Sequence, residues 1–236
     1  MSIEKIESLK RFDTPAITNV VATYPKNKEN CLGLYHPWES NWYADQSLKC
    51  MLPEVGRVAG YVVTVEYGLP DPNFGRLSMR DLVAALGESP QPVILAVKQN
   101  LPDYIKNKNG LMGGNMITTF KACGVVGVLS DGPSRDLDEI REIGGVQYML
   151  TGLAAGHGYF DMYSINNAVN ICGMDLCPGE IVHMDENGAC KFPAKYLDEV
   201  IARAERLQAE EEKSMARIRA CKNAKEVLEV MGGPYK

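Results

Sequence analysis

The sequence predicts an α/β protein, and three observations carry that reading. Pro92 to Lys98, PVILAVK, is a short apolar run of the kind that forms a strand buried on both faces. Leu111 to Ile143 alternates between the two periodicities. It gives a helix-like run (Met116 to Cys123), a compact strand (Val125 to Ser130), a glycine turn (Asp131-Gly132-Pro133-Ser134), the charged pair Arg135-Asp136 and a second helix (Leu137 to Ile143). Polar chemistry then falls at the carboxyl end of a strand, where ligands bind in such folds. From Ala194 to Met231 the chain turns rich in Glu, Arg, Lys and Ala, and Leu197, Val200, Ile201, Ala204 and Leu207 share one helical face. That predicts a long C-terminal helical arm, broken near Glu210 to Lys213.

The other elements follow in chain order. Asp13 or Thr14 caps a short helix that Pro15 begins and that runs to Val21. An aromatic insertion near residues 24–56 carries Tyr24, Trp38, Trp42 and Tyr43, and reads as a packed surface elaboration, with a substrate lid or subunit contact as the sharper alternative. Arg57 to Glu66 is a β-branched strand. Ser78 caps a helix through Leu86 whose apolar face is Leu82, Val83 and Leu86. Gln147 to Thr151 is a further strand. Pro178 to Pro193 reads as a hairpin turning at Asn187-Gly188. The division is a core over residues 1–200 and the helical arm over 201–236, a candidate oligomer contact.

Composition narrows the function. With 45% hydrophobic and 23% charged residues over 236 positions, the chain can bury a full core and is not a disordered segment. Its formal charge of -5 argues against a general polyanion binder, so no direct nucleic-acid partner is expected. The start, MSIEKIESLKRF, shows no apolar leader, and no apolar run reaches the roughly 18 residues that span a bilayer. The expectation is a cytoplasmic protein with no membrane contact. Seven cysteines, an odd number, argue against a disulfide framework. Cys172 and Cys177 lack the second pair that a zinc site needs.

The chemistry-bearing groups are few. Arginine is a rigid fork of donors suited to a carboxylate or a developing oxyanion, and an adjacent aspartate can hold a divalent cation. Arg135-Asp136 is therefore the first candidate pair. Gly113-Gly114-Asn115-Met116 is the second element, because free N–H groups at a helix start bind anions and glycine lets a ligand approach. Asp131 lines the same pocket or makes the turn. His157 and His183 are weaker candidates. Dinucleotide, P-loop, HExxH and GxSxG patterns are absent.

Leu111 to Glu139, with VGVLSDGPSRDLDEI and the PGEIVHMDENGACKFP hairpin, resembles the signature region of the RraA-like family over roughly Asp13 to Val200. That family includes class II 4-hydroxy-4-methyl-2-oxoglutarate/4-carboxy-4-hydroxy-2-oxoadipate aldolases and regulators of ribonuclease E activity. The aldolase motif is an acidic residue, twenty intervening residues, then Arg-Asp. Arg135-Asp136 matches its end, and Gly114 stands where the acidic residue belongs. In the aldolases that residue positions water around the metal and supports proton transfer.

The resemblance implies an α/β/β sandwich of the swivelling-domain type, assembled as a homotrimer or hexamer. It implies a metal-dependent aldolase or decarboxylase that releases pyruvate from a small 2-oxo acid, or decarboxylates oxaloacetate. Asp136 would hold Mg2+ or Mn2+, Arg135 would stabilise the enolate, and the N–H groups of Asn115 and Met116 would hold the substrate carboxylate. No lysine Schiff base is required, so Lys98 and Lys121 are left to charge roles, and Glu205 to Glu212 contains candidate acids for a neighbour's site. Gly114 motivates a second reading, another metal-dependent lyase, hydratase or isomerase. A non-catalytic regulator of ribonuclease E activity is the third.

Overall fold

The computed structural model describes residues 3–22, 29–36, 38–73 and 77–231. The chain opens with α1 (Ile3–Ser8) and α2 (Thr14–Val21). Asp13 caps α2 through its side chain, which accepts from the Ala16 N–H. The two-residue strand β1 (Lys49–Cys50) precedes β2 (Val58–Gly68), the longest strand, buried along its length except at half-buried Glu66. After β2 come α3 (Met79–Glu88), β3 (Val93–Asn100), the short α4 (Asp103–Lys106), α5 (Gly114–Ala122), β4 (Val125–Ser130), α6 (Leu137–Ile143) and β5 (Gln147–Leu150). Ser78 and Asp81 form a reciprocal capping box at the start of α3.

Strands β2, β3, β4 and β5 lie side by side and parallel. Crossovers that advance in one direction place their helices on one face. Leu82 and Leu86 of α3, Ile117 and Phe120 of α5 and Ile140 of α6 accordingly pack together on Val63, Val65, Leu95, Val97 and Val128 of the sheet.

The chain then forms β6 (Asp161–Ile165), the hairpin β7 (Val169–Ile171) and β8 (Met174–Leu176), and the hairpin β9 (Ile181–Asp185) and β10 (Gly188–Phe192). The free edge of β2 is divided, with β9 pairing Val58 to Tyr61 and β6 pairing Val65 to Gly68. The β7–β8 hairpin covers the sheet's second face. There Val169, Ile171, Met174 and Leu176 pack on Val62, Ile94, Ala96, Leu129 and Met149. The layers are thus helices, sheet and β-hairpin, the expected α/β/β sandwich.

The expected aromatic insertion holds a structural element. Tyr43 bridges Cys190, and the Ala44 N–H donates to the Ala189 carbonyl at 2.9 Å. A few residues on, β1 pairs antiparallel with β5. One short segment therefore links the two edges of the sheet, which is nearly closed on itself. Trp42 is buried at its start, stacked on Tyr35. Tyr24 and Pro37 lie outside the described residues.

The C-terminal helix α7 (Leu197–Arg219) is continuous through Glu210 to Lys213, where a break was expected. The interruption falls at residues 220–223, before α8 (Ala224–Val230), where Asn223 caps the new helix through the Glu226 N–H. Mixed charge at 210–213 does not break a helix, since Glu and Lys are good helix formers. Leu197, Val200, Ala204 and Leu207 are buried against α1, α2, Phe192 and Trp42. No helix among the described residues is long and apolar enough to cross a membrane.

His183 sits inside this second core at 0% exposure. Its neutral tautomer satisfies both ring nitrogens. Nδ1 accepts from the Thr14 hydroxyl (2.9 Å), and Nε2–H donates to the Leu9 carbonyl (3.3 Å). Burial pushes its pKa from the ordinary 6.5 down to about 4, partly opposed by the nearby Asp185 carboxylate. The unfolded chain binds this proton more readily than the folded one. The resulting stability is therefore complete above about pH 6.5 and falls as pH drops toward 4, by roughly 3 kcal/mol. The urea midpoint is expected to decline from pH 7 to pH 5 in wild type and to decline less in His183→Leu. An equal decline in both would assign the acid sensitivity to other groups.

Candidate active site

The loops that follow β3, β4 and β5 converge at the carboxyl ends of those strands. Backbone bonds fasten them. The Ser134 N–H donates to the Gly152 carbonyl (3.1 Å), the Ala154 N–H to the Ser134 carbonyl (2.8 Å), and the Gly110 N–H to the Gly156 carbonyl (2.8 Å). Beneath them lies a closed polar triangle. The Ser134 hydroxyl and the Tyr148 phenol both reach the Met112 carbonyl, at 3.0 and 2.5 Å, and contact each other. Burial raises the Tyr148 pKa far above its ordinary value, so the phenol stays a neutral donor. Met112 itself is left-handed, with φ 69°, a conformation that a non-glycine residue holds only when its surroundings fix it.

The fastened loops enclose a cavity of about 160 Å³. It is lined by Gly113, Asn115 and Met116 at the start of α5, by Arg135 and Asp136, and by His157 and Phe160 from the loop after β5. Five of the residues singled out in the sequence, together with His157, thus share one small space. Asp136 is the residue before α6, a position whose side chain ordinarily caps its own helix. Here it is left-handed (φ 60°, ψ 36°) and makes no such cap. Its Oδ2 instead accepts the Gly114 N–H across the gap at 3.2 Å. A carboxylate at a helix N-terminus is favourably placed.

Arg135 Nε is buried 3.5 Å from Asp136 Oδ2, close enough for ion pairing. The contact does not meet hydrogen-bond geometry, so this buried N–H has no acceptor among the described residues. A buried donor without a partner is costly, and an anion in the cavity would satisfy it. At the helix start, the Met116 N–H is already taken by the Gly113 carbonyl (3.0 Å). Of the two N–H groups expected to face a substrate, only that of Asn115 has no acceptor among the described residues.

The two glycines at 113 and 114 leave room for side chains of α6. A Cβ on Gly113 would lie 2.2 Å from Asp136 Oδ2, and one on Gly114 would lie 2.2 to 2.4 Å from the Glu139 carboxylate. Glu139 stands in the first turn of α6, three residues after Asp136, so both carboxylates face the start of α5.

The other expected residues lie elsewhere. Asp131, expected to contact substrate, is buried outside the cavity. It accepts from Lys98 Nζ and from the Gln99 N–H, each at 2.7 Å, with Lys106 Nζ at 3.8 Å. Its short side chain tethers the ends of β3 and β4 to each other. Lys121 donates to the Ile143 carbonyl at the end of α6. Glu205 pairs with Arg11, and Glu210 accepts from Asn30. Asp185 accepts the Asn187 N–H within its own turn and the Thr14 N–H at the start of α2.

Among the described residues no three His, Cys, Asp or Glu side chains gather as a metal cage. Zinc prefers four such ligands, whereas Mg2+ is held by one or two carboxylates, waters and substrate oxygens. Asp136, whose Oδ1 has no partner among the described residues, with Glu139 one turn away, fits the second case.

Residues 38–190 match the RraA-like family model, described as Aldolase/RraA. An uncharacterized protein of Methanocaldococcus jannaschii is 29% identical over 123 residues, 52% of this chain and 59% of that protein, so the match spans about three fifths of the relative's length. A crystal structure of Streptomyces coelicolor RraAS2, described as an unusual member of the RNase ES inhibitor RraA protein family, superposes with a TM-score of 0.67. It is 23% identical and covers 92% of this chain and 98% of that one. A structure titled for novel cellulases from gut-associated microbes gives a TM-score of 0.69 at 20% identity, covering 90% and 87%. These likenesses establish the fold. One fold carries proteins described by different activities, so fold alone does not fix function.

Removing one corner of the polar triangle tests its role. Tyr148→Phe takes a donor from the buried Met112 carbonyl and should lower unfolding free energy by about 1–2 kcal/mol in urea titrations. A loss below about 0.5 kcal/mol would show that Ser134 alone holds the loop.

Proposed function

The chain belongs to the RraA-like family, and on that premise we propose that it is a divalent-metal-dependent lyase that cleaves a small 2-oxo acid by a retro-aldol reaction and releases pyruvate. Decarboxylation of oxaloacetate would use the same groups, since both reactions break a carbon–carbon bond and leave pyruvate enolate. The observation that carries the reading is the buried Arg135 Nε–H without an acceptor, in a cavity that also presents Asp136 and a helix N-terminus.

A 2-oxo acid carries a carboxylate beside a keto oxygen. The free Asn115 N–H at the α5 N-terminus is the donor for the carboxylate. The Arg135 guanidinium faces the keto oxygen, where negative charge grows as the bond breaks. A donor already fixed in place needs no reorganisation at that moment. Asp136 would hold Mg2+ or Mn2+, and the bound ion would polarise the keto oxygen. Phe160 and His157 close the cavity toward the loop after β5. A space of about 160 Å³ suits a small acid rather than a polymer.

The distal part of the helical arm leaves Met215, Ile218, Leu228 and Met231 exposed, which supports assembly into a homotrimer or hexamer. Sedimentation equilibrium should then give a mass three or six times 26.0 kDa, and a monomer would dismiss the assembly.

Screening purified protein against 2-oxo acids with and without Mg2+ or Mn2+, by pyruvate release, tests the activity. Turnover should require metal, and Arg135→Ala should lower kcat by about 100- to 1,000-fold. Wild-type turnover in Arg135→Ala would sink the assigned mechanism. A metal-dependent conversion without pyruvate would favour a hydratase, isomerase or other lyase. Ribonuclease E inhibition without turnover would favour a regulator.

A further inference from the structure

We propose that the acid taken by this cavity is a monocarboxylate, a 4-hydroxy-2-oxo acid whose fourth carbon carries a short apolar chain, and that Met116 and Phe160 select that chain. Resting on the lyase reading above, this names the half of the substrate which that reading leaves open. The polar groups of the cavity gather at the starts of α5 and α6. Arg135 Nε lies 3.5 Å from Asp136 Oδ2, which itself accepts the Gly114 N–H at 3.2 Å. These groups, with the Asn115 N–H, serve the carboxylate and the keto oxygen. Apolar side chains supply much of the remaining lining. Leu111 and Met112 are buried, and Met116 and Phe160 are half-buried.

Charge decides what the rest of the substrate can be. Arg135 is the one arginine or lysine among the described residues of the lining, and Asp136 already shares it. A second carboxylate set against Met116 and Phe160 would lose its water without gaining a cation. An apolar chain in the same place gains from burial. The lining therefore rejects one class of tail as well as fitting the other. His157, exposed at the rim, has Nδ1 on the Gly158 carbonyl at 2.9 Å and its ring stacked on Phe160, with centroids 6.2 Å apart. It thus covers the apolar ring.

The apolar wall is formed in advance. Tyr67 meets Phe160 edge-on, at 5.4 Å between centroids and 84° between planes, so Tyr67 and His157 both hold the ring. A wall already ordered loses little freedom when the chain docks. Met116 is unbranched and adapts to chains of different shape. A volume of about 160 Å³ keeps the chain to a few carbons.

In the reaction the bond between carbons three and four breaks. Its electron pair stays on carbon three as the enolate, and the hydroxyl on carbon four becomes a carbonyl. Carbon three takes up one proton for the one that the hydroxyl gives up. Pyruvate and a short aliphatic aldehyde leave, with no other reactant. Oxaloacetate, which carries a second carboxylate, is then the poorer substrate.

Binding and turnover test this separately. Calorimetric titration of the 236-residue chain compares 2-oxopentanoate with 2-oxoglutarate, which differ in a terminal methyl or carboxylate, each with and without Mg2+. Wild type should bind 2-oxopentanoate at least about tenfold more tightly. Met116→Lys brings a cation to the wall and should abolish or reverse that preference. In turnover, kcat/KM for pyruvate release should rise about fourfold when the chain on carbon four grows from methyl to ethyl. Phe160→Ala should lose most of that gain. Equal or tighter binding of 2-oxoglutarate by wild type overturns the proposal, and no variant has to fold for that comparison. An unchanged preference in a folded Met116→Lys overturns the role of Met116. Pyruvate released from 4-hydroxy-2-oxoglutarate but not from 4-hydroxy-2-oxopentanoate overturns the proposal and leaves the lyase reading standing. If no acid yields pyruvate while 2-oxopentanoate keeps its preference, the lyase reading fails and the selectivity of the cavity is upheld.

Discussion

The Met112 carbonyl, held by the Ser134 and Tyr148 hydroxyls, is the contact on which the candidate site depends. Its three residues come from the loop before α5, the turn after β4 and the strand β5. The loop before α5 sets where that helix begins, and the turn after β4 sets where Arg135 and Asp136 point. Because the oxygens are buried, water cannot substitute for a missing partner, and the alternative to this arrangement is an unsatisfied polar group in an apolar core. That penalty is what holds Met112 left-handed and sets the distance between α5 and α6.

Given that distance, the electrostatics follow. Two helices start side by side, and each N-terminus carries partial positive charge. Arg135 adds a full positive charge with one buried N–H unmatched. Against this, α6 contributes Asp136 and Glu139, and α5 contributes two glycines that leave space for them. The local balance is positive toward a ligand's oxygens and negative toward a cation or a proton. A chain of net negative charge can therefore still present a locally positive surface to an anion.

Much of this was legible in the residues. Apolar runs marked β2, β3 and β4, caps marked α2 and α3, and residue types singled out Gly113, Asn115, Met116, Arg135 and Asp136, which the fold gathers around one cavity. What escaped has physical reasons. Ser134 and Tyr148 carry no local signal, because a hydroxyl's use is decided by what folds against it. Glu139 reads as an ordinary first-turn acid until α5 is placed opposite. Asp131 beside a glycine turn looks like a ligand contact, yet two lysines and a backbone N–H claim it. The segment from Tyr43 to Cys50 shows no strand-length alternation. Its pairing comes as one bridge and one two-residue strand, below what any periodicity can show.

That same segment has a kinetic consequence. It pairs with β5 at one end and β10 at the other, partners that lie far along the chain and are synthesised long after it. The pairing with β5 cannot form until the parallel strands have docked, nor the bridge to β10 until the last hairpin has left the ribosome. Contacts of such sequence separation form slowly, because the chain's loop entropy is lost before they stabilise anything. The nascent chain must therefore carry Trp42, Leu48 and an unpaired sheet edge through most of its synthesis, and the interval before the sheet closes is when this protein is most exposed to aggregation.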